Sequence, residues 1–137
     1  MRFTHRVRGS VRGVLCALVL SGCGSAAVGP TDSTEITLAV GERGTAGGIS
    51  VGLVAIDEDS RCPEDVVCVW AGNVKARASL RTGTGDAPVT LNSGLEPYSA
   101  DVGTYRVRIV EVLPRRTTGS AIPPGDYRVT LRVERIP

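Results

Sequence analysis

From residue 36 to near the end of the chain, apolar side chains recur at every second position, the period of strands buried on one face. Ile36, Leu38 and Val40 alternate with Thr37 and Ala39 before Gly41–Gly48 breaks the run. Ile49, Val51, Leu53 and Ala55 form the next set, with Val54 and Ile56 facing the other way. Val74, Ala76, Ala78 and Leu80 interleave with Lys75, Arg77, Ser79 and Arg81, and Val89 with Leu91 marks a short strand before the turn signal Asn92-Ser93-Gly94. Tyr105, Val107 and Ile109 alternate with Arg106 and Arg108, continuing through Val112 to Leu113, where Pro114 stops the strand. Tyr127, Val129, Leu131 and Val133 close the pattern. No window carries a helical period. Six to seven short strands separated by Gly, Pro, Asn and Asp clusters predict an all-β, antiparallel sandwich, immunoglobulin-like in class.

The chain before this pattern reads differently. Arg2, Arg6, Arg8 and Arg12 precede a short apolar run, residues 13–20, which falls well below the roughly 20 residues that span a bilayer. A basic start, an apolar middle and small residues at the end are the parts of a secretory signal. Leu20-Ser21-Gly22-Cys23 resembles the lipobox of bacterial lipoproteins. That resemblance implies cleavage after residue 22, a diacylglycerol on the Cys23 sulfur and a further acyl chain, such as palmitate, on its amine. At about 0.8 kcal/mol per buried methylene, such chains form a durable anchor. Gly24 follows the anchor, where aspartate would be associated with inner-membrane retention. The expected address is the outer side of a cell-envelope membrane, the outer membrane if the host has one. Residues 23–34 are rich in Gly, Ser, Ala, Pro and Thr and read as a flexible tether, with the folded domain at 35–137.

Processing changes the charge. The whole chain has 16 basic and 14 acidic residues, and loss of the four signal arginines leaves twelve against fourteen. A formal charge of −2 removes electrostatic support for nucleic-acid binding. The only histidine, His5, also lies in the signal, so the mature chain lacks the imidazole needed for a Ser-His-Asp mechanism or a histidine-ligated metal.

With Cys16 in the signal and Cys23 acylated, Cys62 and Cys68 are the thiols left to pair, and an extracytoplasmic setting favours a disulfide. A loop this short gains roughly 2 kcal/mol from closure. Trp70, the only tryptophan, reads as a core plug over the sulfurs, with a sugar-stacking platform as the sharper alternative. Asp57, Glu58, Asp59, Glu64 and Asp65 surround Arg61 and are the candidate binding loop, after which the next strand is expected to begin near Val67. Calcium is a minor alternative there, because the spacing does not match an EF-hand. Lys75, Arg77, Arg81, Arg106, Arg108, Arg128 and Arg132 fall out of phase with the core and would form one basic face if their strands share a sheet.

The blocks Asp59-Ser60-Arg61-Cys62-Pro63 and Cys68-Val69-Trp70-Ala71-Gly72 resemble the signature of a family of small bacterial secreted proteins and lipoproteins. The runs 105–114 and 127–133 are also similar to it, and Arg115-Arg116 after Pro114 departs from it. The resemblance carries over no established activity, cofactor or catalytic residue. These observations lead to an expected non-catalytic, lipid-anchored envelope module that binds an envelope protein or a cell-wall polymer through its stapled loop. Two alternatives are a carboxylate-dependent hydrolase of cell-wall glycan, which needs an acid pair across a cleft, and a protease inhibitor with Pro63–Val67 held extended.

Overall fold

The computed structural model describes residues 32–137. The expected signal segment, the expected lipidation site Cys23 and nearly all of the expected tether lie outside them. Eight strands form: β1 (Ser33–Ala39), β2 (Arg43–Ala46), β3 (Ile49–Asp59), β4 (Val74–Thr82), β5 (Gly85–Asn92), β6 (Ala100–Val102), β7 (Tyr105–Leu113) and β8 (Arg128–Arg135). A single turn of 3-10 helix, Pro124–Asp126, precedes β8. The fold is all-β, with two antiparallel four-stranded sheets in the orders β1-β8-β7-β6 and β2-β3-β4-β5.

The period-two positions make the core. Leu38, Val51, Leu53, Val74, Ala76, Ala78, Leu80, Leu91, Val107, Val129, Leu131 and Val133 are buried and drawn from both sheets. Strands β3 and β7 slip phase at bulges, between Leu53 and Ala55 and between Ile56 and Glu58 in β3, and between Ile109 and Glu111 in β7. A bulge inserts a residue into one strand. Hence Val107 and Val112 both face inward although five positions separate them, and Val54 and Val110 are exposed. Tyr127 is buried, whereas Tyr105 is half-buried beneath Arg135, whose guanidinium lies 5.7 Å from its ring centroid.

Four expectations change. Strands β2 and β6 arise where the sequence reads as a break or a loop, because both are short edge strands with little apolar signal. Ser33 and Thr34, expected in the tether, already belong to β1 and pair with Glu134 and Val133. β4 starts at Val74 and not near Val67. Connectivity also differs from the immunoglobulin pattern, which depends on Greek-key crossovers. Here each strand adjoins the next in the chain, within a sheet or across the sandwich edge, and β1 returns to pair with β8.

This up-and-down course sorts the connections between two poles. The β2–β3, β4–β5 and β6–β7 turns lie at one pole, each two residues long, with Asp32 and Ile136 beside them through Arg135 N–H to Asp32 O and Ile136 N–H to Thr104 O. The long connections, 60–73, 93–99 and 114–127, lie at the other. Exposed apolar side chains gather in these long connections, and the candidate site is there.

Candidate functional site: the stapled pole

The 60–73 connection leaves β3 at Asp59, which is half-buried. Asp59 Oδ1 accepts from Arg61 Nε at 2.9 Å, and Oδ2 accepts from Arg61 Nη2 at 2.7 Å and from the Tyr127 hydroxyl at 3.0 Å. Burial pushes the Asp59 carboxyl up, but the Arg61 side-chain and backbone donors and Tyr127 outweigh it and hold the carboxyl below its ordinary range. The hydrogen bonds to Asp59 hold the Arg61 guanidinium above its ordinary value, against its own desolvation. Burial, reinforced by donation to Asp59, raises the Tyr127 phenol. Arg61 also donates to the carbonyls of Val112 at 2.6 Å and Pro114 at 3.0 Å. One guanidinium thus ties the end of β3 to the end of β7, and Asp59 ties β3 to the start of β8. The Asp-Ser-Arg block joins the two sheets.

A second lock holds the return of the connection. Asn73 is only 2% exposed. Its Oδ1 accepts from the backbone N–H groups of Ser93 and Gly94, and its Nδ2 donates to Asn92 Oδ1 at 3.0 Å. Ser60 N–H donates to Asn73 O, and Asn73 N–H donates to Ser60 Oγ. Gly72, at φ +75°, approaches the Ser60 carbonyl so closely that a Cβ would overlap it, and a Cβ on Gly94 would overlap the Gly72 carbonyl. The Gly of Trp-Ala-Gly is therefore required by space and by backbone conformation. The sequence contains this lock only as an isolated asparagine next to a turn signal elsewhere, and the long-range pairing of residues 73 and 92–94 has no local signature.

Between the two locks the disulfide Cys62–Cys68 forms as expected, with Cα atoms 5.9 Å apart. Cys62 N–H donates to Ala71 O. Pro63–Val66 is a turn and not an extended segment, because Val66 N–H folds back toward Pro63 O. The Arg115-Arg116 departure also finds a place. Glu64 N–H donates to Arg116 O, Arg116 Nη1 donates to Arg61 O, and Thr118 N–H donates to Asp65 Oδ1 at 2.8 Å. Residues 114–118 thus clasp one flank of the loop.

The candidate acids do not converge. Asp57, Glu58 and Asp59 belong to β3; Asp57 pairs with Arg77 on the outer face, Asp59 with Arg61, and Asp65 is spent on Thr118. Among the described residues no three His, Cys, Asp or Glu side chains are grouped to hold a metal ion. Three adjoining depressions, of about 510, 440 and 300 Å³, surround Arg61, and none is lined by two carboxylates.

Trp70 overturns its expected place: it is 82% exposed, Val69 is 89% exposed, Val67 is fully exposed and Val66 half so. Trp70 borders the depression of about 440 Å³, together with Cys62, Cys68 and Gly72, and does not close over the disulfide. Leu95 and Tyr98, in the neighbouring 93–99 connection, are also exposed. The basic face likewise divides. Lys75, Arg77 and Arg81 lie on β4 and Arg106, Arg108, Arg128 and Arg132 on β7 and β8, in the opposite sheet. Arg77, Arg81, Arg106, Arg108 and Arg132 pair with Asp57, Asp86, Asp101, Glu134 and Glu35. Comparisons with protein-family models, curated proteins and solved structures return no match to this chain.

Proposed function

We propose that this chain is a lipid-anchored envelope protein that acts as a non-catalytic binding module, with the stapled pole as its contact surface. One observation carries the reading: Val66, Val67, Val69 and Trp70 are solvent-exposed on a connection pinned by a disulfide, two side-chain locks and a main-chain clasp. A soluble domain gains nothing from an exposed tryptophan beside three exposed valines unless something covers them. Prior ordering of the loop removes the entropy cost of arranging it on binding. The apolar apex replaces the acids as the contact chemistry, because Asp59 and Asp65 are already hydrogen-bonded within the protein. The lipobox-like Leu20–Cys23 supports the anchor, and the Asp-Ser-Arg-Cys-Pro and Cys-Val-Trp-Ala-Gly blocks support membership of the small secreted family they resemble.

The anchor is tested by labelling cells with a palmitate analogue. Label is expected on the wild type and absent from Cys23→Ser, and unlabelled wild type overturns it. Contact is tested by crosslinked pull-down from the native envelope with the wild type, a Val67→Ser/Val69→Ser/Trp70→Ser form and a Glu58→Gln/Glu64→Gln form. Capture lost only in the apex form supports this reading; capture lost in the carboxamide form returns the contact to the free acids.

A further inference from the structure

Cys62 and Cys68 do not share one environment. Cys68 is exposed within an exposed stretch, residues 64–71, whereas Cys62 is half-buried. Their bridge lines the depression of about 440 Å³ with Arg61, Trp70 and Arg116, so a thiol can reach sulfur without opening either sheet. The position of Cys62 has supports of its own. Its N–H donates to Ala71 O, and Arg116 Nη1 donates at 3.0 Å to the carbonyl of Arg61, in the peptide group just before it. Arg61 is held in turn by Asp59 and by the carbonyls of Val112 and Pro114.

The fold lends the bridge little. What a disulfide contributes to a fold is, by linkage, what the fold contributes to the disulfide. In the chain-entropy model, closure across six positions is worth a factor of roughly forty, where a loop of about a hundred residues gains a factor of roughly three thousand. Exposed bridges are the ones that exchange with thiols, and buried, strongly reinforced ones resist them.

We infer that the Cys62–Cys68 bridge is a thiol-exchange site, attacked at Cys68 by the thiolate of a thiol reductant, and that its opening frees residues 66–70 while both sheets stay folded. The attacking sulfur bonds to Cys68 Sγ as the bond between the two cysteines breaks, and the electron pair leaves on Cys62 Sγ. Arg116, bonded to the preceding carbonyl and lining the same depression, puts a cation beside that leaving sulfur, and a cation stabilises a thiolate. On taking a proton from water, Cys62 Sγ finds acceptors in place, Pro63 O at 3.4 Å and Val66 O at 3.7 Å. With a dithiol reductant, the second thiolate attacks its own sulfur in the mixed disulfide and releases Cys68, which also takes up a proton. Two electrons and two protons thus pass to the bridge, and the dithiol becomes a disulfide. The clasp from Arg116 and Thr118 still holds Glu64 and Asp65 afterwards, and Asn73 still holds the return of the connection.

The test equilibrates the full-length protein with reduced and oxidised glutathione, folded in buffer and unfolded in urea. After acid quenching, peptide mass spectrometry reads Cys62 and Cys68 separately from Cys16 and Cys23. The equilibrium constants for closing the bridge in the two states are expected to differ by less than about a hundredfold, and a larger ratio makes the bridge a structural one and overturns the inference. Early in reduction by glutathione alone, the mixed disulfide is expected on Cys68 at least about tenfold more often than on Cys62, and equal or reversed occupancy overturns the assigned point of attack. Hydrogen exchange of the reduced protein is expected to quicken in residues 66–70 and to stay unchanged in β3, β4, β7 and β8. Loss of protection in those strands overturns the local opening. Arg116→Gln is expected to slow reduction by dithiothreitol at least about threefold, with Arg116→Lys within about twofold of the wild type. Equal rates in the wild type and Arg116→Gln overturn the role given to Arg116 beside the leaving sulfur.

Discussion

Asp59 and Gly72 show how single residues decide this pole. Asp59→Asn leaves Arg61 half-buried without its carboxylate and weakens the bond from Tyr127. Removing a charged hydrogen-bond partner costs about 2–3 kcal/mol, to be read as a lower urea midpoint at unchanged m-value. The same carboxyl sets a pH limb. Its folded pKa lies below the ordinary 3.8, so its contribution is complete above that value and is lost as pH falls through the folded pKa. Acid unfolding of Asp59→Asn should lack this component, and equal acid limbs in both proteins would remove Asp59 from the account. Tyr127 works in the opposite sense. Its raised folded pKa means that its contribution is present below pH 10.0 and lost as pH climbs through the folded value. Gly72→Ala meets both a left-handed backbone and the Ser60 carbonyl. A loss of about 3 kcal/mol or more is expected by chemical denaturation.

At the scale of elements, the 60–73 connection is held several times over. Cys62→Ser/Cys68→Ser should cost no more than about 2 kcal/mol, because a short loop gains little from closure and the 114–118 clasp remains. Thermal melts measure that loss, and a collapse of the fold would show that the disulfide carries the domain. Limited proteolysis of the reduced form should cut first between residues 63 and 70, the exposed segment that reduction releases. The outer faces of the two sheets behave differently. Their arginine–carboxylate pairs are exposed, and such pairs contribute about 0–1 kcal/mol each. Arg132→Gln is expected to leave the melting temperature nearly unchanged, and a large shift would mean that Glu35 and Arg132 do more than decorate β1 and β8.

Residues 32–137 form an apolar-tipped pole and a pole of tight turns that holds Asp32 and Ile136, and the one tryptophan reports on the former. Trp70 is expected to emit as a solvated indole, to be quenched freely by acrylamide, and to change little when the domain unfolds. Trp70→Ala should therefore alter stability by less than about 0.5 kcal/mol. A blue-shifted emission in the isolated protein, or a large destabilisation, would return Trp70 to the core. Such a result would remove the observation on which the proposed binding surface stands.

The alternation of Val74 to Leu80 and of Val129 to Val133 determined the strands by itself, because a half-buried strand writes its burial at every second residue. Cys62 and Cys68 announced their bridge by proximity in the chain. Partnership across the fold was decided only in three dimensions. Arg61 reaches Val112 and Pro114, Asn73 reaches Ser93 and Gly94, and no local pattern encodes either reach. The seven out-of-phase cations could be read as one face, but the division of β4 from β7 and β8 sets them on opposite sides. Trp70 was misplaced for the same reason. Burial of a residue in a loop depends on how the loop folds back on the sheets, and here Trp70 stays 82% exposed at the edge of an open depression.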